Sequence, residues 1–214
     1  MATRGALFDL DGVIIDSEGR YTIFWNEIER IYPTGIPNYA IAIKGTTLPT
    51  ILNNYNSQKV RDDITARLME FQANMVYEPY PGAIEMLEKL NRRDVPIALV
   101  TSSDERKMSH LFQHLPRLKE LMCAVIDGSM VTHSKPDPEG YLRGAAAIGV
   151  APEDCFVFED SLQGLSAGRS SGATVVGLST TYPVEEIEKR ADIVVSALGD
   201  IDVDKLLGFR VSKP

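Results

Sequence analysis

The chain has 214 residues, 44% hydrophobic and 24% charged, with 30 Asp and Glu against 22 Lys and Arg and a formal net charge of −8. That is an ordinary globular profile, long enough for one core domain and a smaller insertion, and the lack of a basic stripe argues against a nucleic-acid-binding surface. No apolar stretch is long enough to span a bilayer and the first residues hold no signal-peptide core, so a cytoplasmic chain without membrane contact is expected.

In chain order, Gly5-Ala6-Leu7-Phe8 reads as a buried strand, with Gly12 supplying the turn that stops it. Ser17 is a candidate helix cap, and Tyr21, Phe24, Trp25, Ile28 and Ile31 then recur at helical spacing. Pro33, Gly35 and Pro37 break the pattern. Leu48, Ile51 and Leu52 suggest another helical turn, and Val60, Ile64, Leu68, Phe71 and Met75 mark a longer amphipathic helix. No convincing strand lies between Ser17 and Tyr80, so residues 17–80 are expected to form a small all-helical insertion.

From Pro79-Tyr80-Pro81-Gly82 onward, strands and helices alternate. Ala83, Ile84, Leu87 and Leu90 form a helical face with Pro81 suited to its entry. Val95–Val100 reads as a strand, Met108, Leu111, Phe112 and Leu115 as a helix, and Ala124–Ile126 as a strand. Tyr141 to Ile148 is an alanine-rich helix stopped by Gly149, followed by the strand Cys155–Phe158 and the helix Leu162–Ser170. Thr174–Val176, a helix around Val184 to Arg190, and Ile193–Val195 complete the set, ahead of a short polar tail ending at Pro214. Cys123 and Cys155 have no C-x-x-C spacing and fit small buried residues in a reducing compartment. The alternation implies an α/β fold with a largely parallel sheet covered on both faces, which binds ligands at the carboxyl ends of its strands.

Four strand ends carry chemistry. Asp9 and Asp11 flank Leu10, so both carboxylates can face one crevice while Leu10 points away. Two close carboxylates repel unless a cation or proton separates them, which suggests a divalent hard cation and an Asp free to attack phosphorus. At Thr101-Ser102-Ser103, a hydroxyl and neighbouring amides could hold a phosphate oxygen. The prolines of Ser134-Lys135-Pro136-Asp137-Pro138 stiffen a turn that would aim Lys135 at carboxylate and phosphate charge. In Phe158-Glu159-Asp160-Ser161, Asp160 could complete an oxygen-ligand shell and Glu159 could hold a metal-bound water. Each has an ordinary reading too. Asp-Gly is a common turn, Ser103 a helix cap, Lys135 a solvated lysine, and the 159–160 pair a set of acids suited to a helix N-terminus. Their order, each after an apolar strand, makes the set specific.

With these pieces in place, the chain resembles the haloacid-dehalogenase-like phosphohydrolases, in their β-phosphoglucomutase-like branch. The resemblance covers nearly the whole chain and is strongest in FDLDGVIIDSE (8–18), LVTSSDERK (99–107), HSKPDPEGYL (133–142) and FEDSLQGLSAGRSSGA (158–173). It implies a Rossmann-like core, residues 1–16 and 81–214, with a helical cap, residues 17–80, inserted after the first strand. By the same resemblance Asp9 would be the nucleophile that forms an aspartyl-phosphate, and Asp11 the general acid and base. Mg2+ would be held by the Asp9 carboxylate, the Asp11 backbone carbonyl and Asp160, with Glu159 helping through water. Thr101 or Ser102 would bind the transferring phosphoryl group, and Lys135 would neutralise charge. Asp11 itself points to phosphoryl chemistry rather than dehalogenation, because a dehalogenase has no phosphate ester whose leaving group needs a proton.

A sugar-phosphate mutase of this branch must grip a second phosphate from the cap. Lys44-Gly45 matches the family's Lys-Gly pair, but Leu48 stands where an arginine is expected and Tyr21 or a neighbour replaces an expected histidine. Hydrolysis of a small phosphorylated metabolite is therefore the favoured expectation, with Lys44, Gly45, Thr46, Thr47 and Ser103 as candidate substrate contacts. A mutase is the alternative and a catalytically silent binding module a more distant one. A monomer is the expected state.

Overall fold

Strand β1 (Gly5–Phe8) runs through the interior of the sheet in the computed structural model, which describes residues 4–209. It pairs in parallel with β2 (Ile97–Val100) on one side and β4 (Cys155–Glu159) on the other. β3 (Ala124–Ile126) adds outside β2, and β5 (Thr174–Leu178) and β6 (Ile193–Val195) extend the other edge, giving the order β3-β2-β1-β4-β5-β6. All five pairings are parallel. The strands carrying three of the predicted motifs are therefore neighbours, with β3, which leads to the fourth, beside them.

Alternation along β1 builds both cores. Ala6 and Phe8 face one apolar cluster with Leu87, Leu90 and Leu111, whereas Leu7 faces another with Tyr141, Ala145 and Ala167. The rings of Phe8 and Phe158 stack at 4.1 Å across the β1–β4 pair. Each such fully buried apolar side chain contributes about 1.5–3 kcal/mol.

Between β1 and the next helix of the sheet layer lie α1 (Glu18–Ile31), α2 (Tyr39–Ala42), α3 (Leu48–Leu52) and α4 (Gln58–Ala73). They bury a cluster of their own, centred on Trp25, Ile28, Tyr39, Ile51, Ile64 and Leu68. The chain enters and leaves this segment through adjacent strands of backbone: the Asp16 amide donates to the Glu78 carbonyl, and the Tyr80 amide to the Ile14 carbonyl, each at 2.9 Å. Beyond it come α5 (Ala83–Asn91), α6 (Glu105–His114), α7 (Pro116–Leu121), α8 (Glu139–Ala147), α9 (Leu162–Ser170), α10 (Val184–Ile187) and α11 (Val203–Gly208).

Several details differ from the sequence expectation. α2, α7 and α11 have six residues or fewer, too short to show a helical period. β2 starts at Ile97 because Pro96 has no amide for the ladder, and α10 ends at Ile187, not near Arg190. Met75 lies past the end of α4 and is buried under the sheet. Pro81 precedes the true cap of α5, which is Gly82 at φ 79°. Cys155 is buried as expected, but Cys123 is exposed. The expected polar tail lies largely outside the described residues.

Candidate active site

Asp9 continues β1, its amide donating to the Phe158 carbonyl at 3.0 Å. The chain then folds into a tight loop in which Gly12 adopts φ 78°. Only glycine fits there: a Cβ would fall 2.0 Å from an Asp160 carboxylate oxygen. Leu10 is fully buried on the opposite side, so Asp9 and Asp11 open into one cavity of about 260 Å3.

The two carboxylates are held by different lysines. Lys135 Nζ donates to Asp9 Oδ1 at 2.6 Å and also bonds Glu159. Lys107 Nζ donates to Asp11 Oδ1 at 2.6 Å, and Ser103 Oγ to Asp11 Oδ2 at 3.1 Å, with the Ser17 hydroxyl adding a third donor. Burial pushes the Asp9 carboxyl up to about 7, with Glu159 and Asp11 adding to the rise and Lys135 opposing it. Burial also works against the Asp11 carboxylate, but the charge and hydrogen bonds of Lys107, with Ser17 and Ser103, hold it below the usual range. Both lysines are likewise disfavoured by burial, and their carboxylate partners nonetheless raise them above ordinary lysine values.

Two cap expectations change here. Ser17 sits at the start of α1 and Ser103 just before α6, but neither side chain caps its helix; each hydroxyl turns to Asp11. Asp104 caps α6 instead, accepting from the Lys107 amide at 2.9 Å.

Beyond β2, Thr101 Oγ1 accepts from the Ser103 amide at 3.1 Å, and Ser102 Oγ donates to the Gly45 carbonyl at 2.7 Å. Ser102 thus ties the sheet layer to the loop between α2 and α3. The Thr47 amide makes a second tie, donating to Ser134 Oγ at 2.9 Å. Lys44, Gly45, Thr46 and Thr47 all border the cavity beside Thr101, Ser102 and Ser103. Lys44 forms an ion pair with Glu18.

At the end of β4, Glu159 is fully buried and accepts from five donors: Lys135, the Tyr141 hydroxyl at 2.8 Å, the Asp160 and Ser161 amides at 3.0 Å each, and the Ser161 hydroxyl. Asp160 receives the Thr181 hydroxyl. One oxygen each from Asp9, Glu159 and Asp160 lies within 4.8 Å of the others. Burial raises the Asp160 carboxyl well above its ordinary value, and Glu159 and Asp9 add to the rise. Buried carboxylates crowded in this way suit a hard divalent cation, which relieves both desolvation and repulsion. Asp9 and Asp160 have the freer oxygens, while those of Glu159 already receive five donors. The Asp11 carboxylate is not part of this cluster and pairs with Lys107 instead.

Lys107, Tyr141, Thr181 and Glu18 are site residues that pattern reading passed over. Lys107 had a signal, because it shares the buried face of α6 with Met108 and Leu111, where an unpaired ammonium would be costly. Thr181 had none.

The family model of the haloacid dehalogenase-like hydrolases matches residues 3–172. The chain belongs to the haloacid dehalogenase-like hydrolases. Hexitol phosphatase A of Escherichia coli is 30% identical over 212 residues, covering 96% of each chain. β-Phosphoglucomutase of Bacillus subtilis is 27% identical over 218 residues, covering 95% of this chain and 93% of that one. In fold, the chain matches a hydrolase from Pseudomonas syringae with a TM-score of 0.80 at 23% identity, covering 95% of this chain and 99% of that one. It matches the β-phosphoglucomutase of Clostridium difficile with a TM-score of 0.79 at 21% identity and 96% coverage of both. The expected family and its Rossmann-like α/β fold are borne out, as is a phosphohydrolase. Phosphatases of this family generally use a divalent metal, and the cluster of Asp9, Glu159 and Asp160 could hold one.

Proposed function

We propose that the chain is a Mg2+-dependent phosphatase of small phosphorylated metabolites, working as a cytoplasmic monomer with residues 17–80 as its cap. One observation carries the reading: Asp9, Asp11 and Asp160 border a single cavity between sheet and cap, with Lys135 bonded to the nucleophile candidate. The free Cys123 and Cys155 thiols agree with a reducing compartment.

Asp9 and Asp160 would hold the ion, and the bound metal would supply positive charge against the phosphoryl oxygens and these carboxylates. Asp9 attacks phosphorus in line, forming an aspartyl-phosphate as the bond to the leaving oxygen breaks. Asp11, swung off Lys107 and protonated, gives its proton to that oxygen. In the second half, Asp11 takes a proton from water, which attacks phosphorus and breaks the bond to Asp9. Inorganic phosphate leaves with Asp9 regenerated. The network of Lys107, Ser17 and Ser103 keeps Asp11 ionised, the form this second half needs. Lys135 and the Thr101–Ser103 loop offset phosphoryl charge.

A screen of phosphorylated metabolites for released orthophosphate tests the proposal. Chelation should remove turnover and added Mg2+ restore it, whereas full activity in metal-free buffer would refute the metal assignment. Asp11→Asn should slow both formation and breakdown of the phospho-enzyme, with a total loss of about 10²–10⁴-fold. A loss below about threefold in single-turnover assays would count against that role. With β-glucose 1-phosphate, hydrolysis yields free phosphate, and glucose 6-phosphate would mark a mutase instead.

A further inference from the structure

The wall of the cavity facing Asp9 and Asp11 comes from α1, α3, α4 and the loop after α2, and it is where a leaving group must lie. Its broad surface is apolar, built from Trp25, Ile43, Leu48, Ile51 and Leu68. The lysine on this side, Lys44, is side-chain buried to 8% exposure and paired with Glu18, itself at the first position of α1. The threonine hydroxyls of the same wall already have local partners, and the Tyr21 hydroxyl accepts from Gln72 Nε2 at 3.2 Å. Thr22 Oγ1 donates to the Glu18 carbonyl at 2.8 Å and Thr46 Oγ1 to the Ile43 carbonyl at 2.6 Å. Thr47 Oγ1 is bonded to Thr50 Oγ1 at 3.0 Å.

Such a wall still has oxygens that accept hydrogen bonds, but it has no uncompensated positive charge among the described residues. A carboxylate or second phosphate placed there would lose its hydration without gaining a counter-charge. An uncharged alcohol would lose little, resting an apolar face on Trp25 and Leu68 while its hydroxyls donate to the wall. The volume, about 260 Å3, falls just below the ~300–1,000 Å3 of pockets that hold drug-sized molecules, which favours a small leaving group.

Resting on the phosphatase reading, we propose that the substrates are monophosphate esters of small uncharged alcohols, and that the Glu18–Lys44 pair excludes esters whose leaving group carries a second anion. Glu18 and Lys44 are specificity-determining residues in this scheme. Lys44 is neutralised so that it does not select an anion.

The test compares kcat/KM for matched esters with Mg2+ present. The pairs are 3-phenylpropyl phosphate against its 4-carboxyphenyl counterpart, and a hexose 6-phosphate against the hexose 1,6-bisphosphate. The member of each pair whose leaving group is uncharged should be favoured by about tenfold or more. Glu18→Gln, an isosteric change at the first position of α1, frees the Lys44 charge and should shrink each gap to about threefold or less. Equal turnover of both members by the wild type would overturn the proposal, as would preference for the anionic one. An unchanged gap in Glu18→Gln would overturn the role given to the ion pair, and Lys44→Met, which should widen the gap left by Glu18→Gln when combined with it, checks the same point. Release of phosphate from no ester at all, by folded wild-type protein, would overturn the phosphatase reading and this inference with it.

Discussion

Asp9→Asn should abolish phosphate release, by on the order of 10⁴-fold or more, because an amide nitrogen or oxygen cannot form the acyl phosphate that Asp9 would form. The fold should survive. Asn keeps the volume of Asp, and the carboxylate it replaces is not favourable in the metal-free protein. Burial raises the Asp9 carboxyl to about 7, from an ordinary value of 3.8. A carboxyl with a raised folded value binds its proton more tightly when folded, so stability falls as pH rises between these two values. Above that window the ionised group is a net cost, and an amide removes it. The melting temperature of metal-free Asp9→Asn at pH 8 should therefore equal or exceed that of the wild type. Circular dichroism melts, paired with orthophosphate assays, check both halves. Residual activity within about tenfold of wild type would exclude Asp9 as the nucleophile.

Lys135→Met should be damaging in both respects. The ammonium lies between Asp9 and Glu159, and Glu159 has no solvent exposure at all. Removing it leaves buried carboxylates without their counter-charge, a loss of roughly 3–5 kcal/mol in urea unfolding at neutral pH. Turnover should fall as well, since the phosphoryl oxygens lose a neighbouring cation. A purely structural lysine would be separable from catalysis. The double variant Lys135→Met with Glu159→Gln removes one stranded charge and should recover part of the stability. If it also recovers full turnover, Lys135 has no part in the chemistry.

The strands that hold the motifs were legible because each is a short run of apolar residues ended by a polar group. β1, β3 and β6 have the expected limits, and so does α9. Ends set by hydrogen-bond supply were harder to read, as at Pro96. Ser17 and Ser103 show the limit of local rules. Both occupy positions where a serine ordinarily closes a helix end, yet the partly buried Asp11 carboxylate is a stronger acceptor than a backbone amide is a donor to them. That competition depends on Asp11 arriving from β1, distant in sequence from Ser103. Lys107 was half legible, as a cation on an apolar helix face, but its partner was not.

The sequence by itself determined the family, the parallel α/β plan and the identity of the acids and lysine at the strand ends. Those features depend on residue type and order along one chain. Only the tertiary structure decided the pairings: Lys135 with Asp9 and Glu159, Lys107 with Asp11, and Glu18 with Lys44. The physical reason is that burial makes an unpaired charge prohibitively costly, so which cation meets which carboxylate is set by where the packed elements bring them together.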